Sequence, residues 1–128
     1  RIYFHINHRG DIEPCVFAHF AVDNIRGKSL GEALASPFFK AIQARQPFNE
    51  NLLLPCMLVD NPHILRELVA ETGARPTHEG AETLITDFAS ALDQYAREYG
   101  KLADEAWRTG YGHAKGEPLV SAKAGGRR

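Results

Sequence analysis

The chain opens on an alternating run. Ile2, Phe4 and Ile6 share one parity, and Tyr3, His5 and Asn7 the other. A period of two with β-branched and aromatic side chains predicts a strand with one buried face. Asn7-His8-Arg9-Gly10-Asp11 reads as a turn in which Gly10 takes a positive φ. Apolar character resumes at Ile12, Val16 and Phe17, which predicts a return strand from Asp11 to Phe17. Pro14 lacks an N–H, so that strand is short or at an edge. The two strands form a β-hairpin carrying Cys15 near its far end.

A polar loop follows at Asn24–Lys28. The spacing Ser29-x-x-Glu32 is a capping box and predicts a short helix over Ala33 and Leu34. Ser36-Pro37 opens another, with Ser36 as N-cap, Pro37 at the first helical position, and Phe38, Phe39 and Ile42 as its apolar stripe. Residues 49–61 read as a long loop holding Leu52, Leu53, Leu54, Pro55 and Cys56. A loop this apolar must pack down, or it leaves a greasy surface. Asn61-Pro62 repeats the cap-plus-proline device, and Ile64, Leu65, Leu68 and Val69 mark a core-facing helix that ends at Gly73. The stretch Thr77–Gly80 starts the last major helix. That helix is expected to run to about Tyr99 and stop at Gly100, with Leu84, Ile85, Phe88, Leu92, Tyr95 and Tyr99 on one face. From Gly110 onward the composition predicts a disordered tail. The fold class is therefore α+β, a hairpin followed by several helices.

Charge narrows the function classes. Fifteen Lys and Arg stand against sixteen Asp and Glu, for a net charge of −1 over 128 residues. Such balance removes the electrostatic reason to seek nucleic acid or an anionic membrane. The basic end, Lys123, Arg127 and Arg128, lacks the interleaved aromatics of a nucleic-acid site. No apolar run approaches the about 20 residues a bilayer span needs, and the amino terminus lacks a signal-peptide layout. Two cysteines are too few for a disulfide scaffold and are compatible with a reducing cytoplasm, the expected location. The chain begins at Arg1, inside the alternating run. This suggests a start within a larger protein, with Cys15 and Cys56 as two of a larger set of cysteines.

Three side chains carry candidate chemistry. Cys15 ends the hairpin, Cys56 sits in the apolar loop, and His19 follows Cys15 by four residues. Neighbouring soft thiolates favour zinc, copper(I) or iron–sulfur, but two thiolates and one imidazole are an incomplete four-coordinate set. Inert core cysteines are the alternative. His5 and His8 read as turn residues, and His63 and His78 as helix-start residues. Asp11 and Glu13 read as turn and solvent-face residues, and Trp107 and Tyr111 as a closure over the last helix.

Gly10-Asp11-Ile12-Glu13-Pro14-Cys15, directly after a strand, resembles the hairpin of the SPASM and twitch regions that follow the barrel of radical S-adenosylmethionine proteins. The likeness continues through Asp23-Asn24-Ile25, Ser29–Leu34 and Ser36–Phe39, then Gln46–Asn51, Pro55-Cys56 and Asn61-Pro62, covering roughly residues 1–80. It implies an auxiliary 4Fe–4S cluster held by a cysteine upstream of Arg1, by Cys15 and by Cys56. The fourth position is left to His19, another upstream residue or substrate. It also implies that Phe17, Phe20 and the Leu52–Met57 loop exclude water from the cluster. The radical-generating Cys-x3-Cys-x2-Cys and the S-adenosylmethionine-binding barrel strands are absent from these residues. The chain alone is therefore expected not to cleave S-adenosylmethionine, with its own barrel as partner and the second 4Fe–4S cluster and S-adenosylmethionine bound there. Only Cys56 follows the hairpin, which fits a single-cluster, twitch-like arrangement. The expected division is a cluster-binding region at 1–60, a helical cap at 61–109 and a tail at 110–128. A stand-alone α+β interaction module with two inert cysteines, presenting its last helix to a partner, is the alternative.

Overall fold

The computed structural model describes residues 3–111. Ile2 of the first strand and all but the first two residues of the expected tail lie outside that range. The hairpin pairs β1 (His5–Ile6) with β2 (Ile12–Glu13), His5 opposite Glu13 and Ile6 opposite Ile12. Gly10 turns the chain between them at φ 87°. A third strand, β3 (Phe20–Ala21), pairs antiparallel with β4 (Arg75–Pro76), far along the chain. These ladders are only two residues long, so side chains rather than backbone bonds carry much of the cohesion between the two sheets.

The helices begin where the caps place them. Helix α1 (Leu30–Leu34) has a complete capping box: the Ser29 hydroxyl accepts from Glu32 N–H, and the Glu32 carboxylate accepts from Ser29 N–H. Helix α2 (Pro37–Ala44) starts on Ser36, whose hydroxyl accepts from Phe39 N–H. Helix α3 (Pro62–Thr72) ends on Gly73 in the left-handed region. Its start differs from expectation. The Asn61 side chain makes no cap bond to the helix and instead donates to the carbonyls of Leu54 and Cys56. The oxygen that would cap the helix, Asn61 Oδ1, instead accepts from Asn49 Nδ2 at 3.1 Å, so the whole Asn61 amide ties down the preceding loop.

The core lies where β2, β3, α2 and α3 meet. Ile12, Phe20, Phe38, Phe39, Leu65 and Leu68 are buried there. Arg45 joins α2 to α3 through Glu71 at 2.6 Å. The expected Phe4/Ile6 face holds only at Phe4, which packs on the core, whereas Ile6 is exposed.

The last helix departs most from the sequence reading. Gly80, at φ 79°, opens a short 3-10 turn over Ala81–Leu84, and α4 proper spans Ala89–Ala106 before a π turn at Trp107–Tyr111. Gly100 does not stop it. An interior glycine costs only about 1 kcal/mol against alanine, and a helix ends there only if the chain turns left-handed. Phe88, Tyr95, Tyr99 and Leu102 stay exposed, and Ala103 is the buried residue of this helix. Trp107 and Tyr111 stack on each other, with ring centroids 5.9 Å apart.

Gly10 tests the turn. A Cβ there would lie 2.9 Å from Asn24 Oδ1 and 3.0 Å from Ile25 Cγ1, in a backbone conformation unfavourable to L side chains. Gly10→Ala should cost at least about 2 kcal/mol, and Gly73→Ala, with open space around it, about 1 kcal/mol. Urea denaturation of the two variants checks the order; equal losses would show that the close approach at Gly10 carries no energy.

Candidate metal centre

Cys15 and Cys56 come to one cavity from opposite sides of the sequence. The hairpin delivers Cys15, and Pro14 beside it ends the ladder. Beyond it the chain folds back, with Ala18 N–H donating to the Cys15 carbonyl at 3.2 Å. Cys56 is held by its neighbours. Its N–H donates to Asp60 Oδ2 at 2.8 Å, and its carbonyl accepts from Asn61 N–H and from the Asn61 amide. Asn51 anchors the same loop to α4 by donating to Asp104 Oδ1 at 2.9 Å.

The cavity holds about 250 Å³. Tyr3, Phe39, Phe48, Pro55, Met57 and Leu58 make most of its wall, and Gln43 and Gln46 add two amides. Both thiols are free and half-buried. Each sulfur accepts a main-chain N–H from two residues on: Phe17 N–H to Cys15 Sγ at 3.3 Å, and Leu58 N–H to Cys56 Sγ at 3.4 Å. Two sulfurs lining one apolar pocket, each facing an N–H donor, suit a thiolate-ligated cluster, whose sulfurs are commonly hydrogen-bonded. Among the described residues, no group of three or more His, Cys, Asp or Glu side chains stands ready to hold a metal ion. The donor set on this cavity is therefore two thiols.

His19 is not brought to them. It lines a separate pocket with His5, Glu13, Thr77 and His78. The expected aromatic shield also differs. Phe17 lies in the tight turn after Cys15 and is 70% exposed, while Phe20 is fully buried in the core and not on the cavity. Leu54 and Met57 of the apolar loop are buried as expected, but Leu52 is exposed.

Asp11 and Glu13 are the largest surprise on the hairpin. Neither faces solvent; they are 4% and 0% exposed. Burial raises the Glu13 carboxyl pKa, but donors outweigh it and hold it below the ordinary range: the Thr77 hydroxyl, His5 Nδ1 at 2.8 Å, Asn7 Nδ2 at 3.1 Å and His19 Nδ1 at 3.5 Å. Asp11 behaves alike, with burial opposed by bonds from Arg75, Asn24 and Asn7. The only local hint was His5 and Asn7 on the facing strand. Thr77 and Arg75 lie 64 residues further on, beyond any window of periodicity.

Residues 1–60 match the family model of SPASM, an iron–sulfur cluster-binding domain, and the hairpin, α1, α2 and the Cys56 loop fall within the matched range. No curated protein and no solved structure matches the chain. No helix among the described residues is long and apolar enough to cross a membrane.

The carboxylates give a pH test. Both are ionised in the fold with pKa values below their ordinary ones. Their contribution is thus complete above the unfolded-state values and is lost as pH falls through the folded ones. The melting temperature should hold from pH 7 to about pH 5 and fall steeply below about pH 4. Glu13→Gln should cost about 2 kcal/mol at pH 7 and flatten that acid limb. An unchanged acid limb in the variant would remove Glu13 from the account.

Proposed function

We propose that this chain is the auxiliary-cluster region of a radical S-adenosylmethionine enzyme, with Cys15 and Cys56 as two thiolate ligands of a 4Fe–4S cluster. The observation carrying this reading is the meeting of both thiols on one apolar cavity, each sulfur under a main-chain N–H, within the SPASM match. A third ligand is a cysteine ahead of the hairpin, the fourth position is left to another upstream residue or to substrate, and the partner is the S-adenosylmethionine-binding barrel of the same enzyme. Bound there, the cluster supplies one-electron transfer or a contact to substrate at the barrel mouth.

The chain's own residues have definite tasks in this reading. The hairpin and the Asn61-braced loop set the two sulfurs. Phe39, Phe48, Met57 and Leu58 keep water from them, and the Phe17 and Leu58 N–H groups draw charge from the sulfurs, which raises the potential. Helices α3 and α4 form the cap beside this region. His19, turned toward Glu13, is not assigned to the cluster.

A second reading makes the chain an interaction module. The exposed stripe Phe88, Tyr95, Tyr99 and Leu102 on α4 favours it. It requires inert cysteines, whereas both thiols here are half-buried on a cavity.

Iron analysis separates the two. In the whole polypeptide carrying this region, expressed anaerobically, Cys15→Ala and Cys56→Ala should each lower the iron content by about four atoms per chain. Iron content unchanged in both variants overturns the cluster reading.

A further inference from the structure

A second pocket beside the hairpin has chemistry of its own. It encloses about 210 Å³, and His5, His8, His19 and His78 all line it around the buried Glu13. The His19 and His78 rings face each other with centroids 5.2 Å apart. They meet because β3 and β4 pair antiparallel: Thr77 N–H donates to the His19 carbonyl at 2.9 Å, which sets the residue before β3 beside those after β4.

The hydrogen bonds fix which ring nitrogen is free. His78 Nδ1 lies 2.8 Å from the Glu79 carbonyl, an acceptor only, so Nδ1 carries the proton. His19 Nδ1 lies 3.5 Å from Oε1 of the ionised Glu13, and His5 Nδ1 lies 2.8 Å from Oε2. In the neutral His5 and His78 rings the lone pair is then on Nε2, and His19 takes the same form when its Nδ1–H is directed at the Glu13 carboxylate. An imidazole whose Nδ1–H is held by a carboxylate or a backbone carbonyl is the form in which histidine ligates metals. Two imidazoles sharing a tetrahedral ion, each nitrogen at about 2.0–2.1 Å, have their centroids about 5 Å apart. The separation of His19 and His78 meets that requirement.

We propose that His19 and His78 form a second, two-imidazole site for a borderline divalent transition-metal ion of the cobalt-to-zinc range. No third His, Cys, Asp or Glu among the described residues is gathered with them to hold an ion. The remaining coordination positions therefore go to water or to oxygen atoms of a bound ligand, and the site is open rather than structural. It is distinct from the cysteine cavity and does not depend on the cluster reading.

Cobalt(II) titration of the full chain tests this, followed by calorimetry and by visible absorption. One saturable site per chain is expected, with nitrogen and oxygen ligation and no sulfur-to-metal band assigned to it. His19→Asn and His78→Asn should each weaken binding by at least about tenfold. His63→Asn, at the exposed start of α3, should leave it unchanged. Both target rings are partly exposed, so the variants should keep the parent's circular dichroism. As a separate check, 15N NMR of the metal-free chain should find both rings as Nδ1–H tautomers. No saturable binding in the parent, parent affinity in the His19→Asn/His78→Asn double variant, or Nε2–H tautomers would each overturn the proposal. Cys15→Ala and Cys56→Ala remove no residue of this pocket and should leave cobalt binding there unchanged, so the two claims fail separately.

Discussion

The structure turns on one buried carboxylate. Glu13 has no exposed side-chain surface, and a charge in that position is tolerable only if donors surround it. His5 supplies one from the facing strand and Asn7 one from the turn after it, His19 from beyond the hairpin, and Thr77 from the far side of three helices. Asp11 repeats the device two residues earlier with Arg75. Two carboxylates on and beside β2 thus grip two residues on and beside β4. Cys15 follows Glu13 by two residues, so its position depends on that grip as much as on the two-residue ladder it leaves.

What the chain revealed unaided was local. The Ser29–Glu32 box, the Ser36-Pro37 start, the Gly73 stop and the Gly10 turn each rest on chemistry within four residues, and each is found in the fold. What stayed hidden depends on distance. Asp11 and Glu13 read as surface charges because nothing near them announces Arg75 or Thr77. Asn61 read as a cap because its true partners, the Leu54 and Cys56 carbonyls, lie in an irregular loop with no period to read. Gly100 read as a stop because a glycine's identity does not say whether its φ will be positive.

The site divides in the same way. That Cys15 and Cys56 belong together followed from their place in the SPASM-like order of hairpin, helix and Pro-Cys loop, and the fold sets both on one cavity. The spacing of His19 from Cys15 suggested the same company. The backbone reverses at Ala18, however, and that ring lines a separate pocket beside Glu13. The aromatic shield went wrong for a related reason. Phe17 occupies the reversal and points outward, and the wall is built by Phe39 and Phe48 from α2 and the segment after it.

The long reach of the Glu13–Thr77 contact bears on the order of folding. Closing a loop of 64 residues carries an entropy cost that must be met before the contact stabilises anything. During synthesis the hairpin emerges well ahead of residue 77, with both carboxylates still hydrated and no partner for either. Its two-residue ladder is too short to stand alone. The brace on Glu13, two residues before Cys15, is therefore completed late, once β4 has closed against β3.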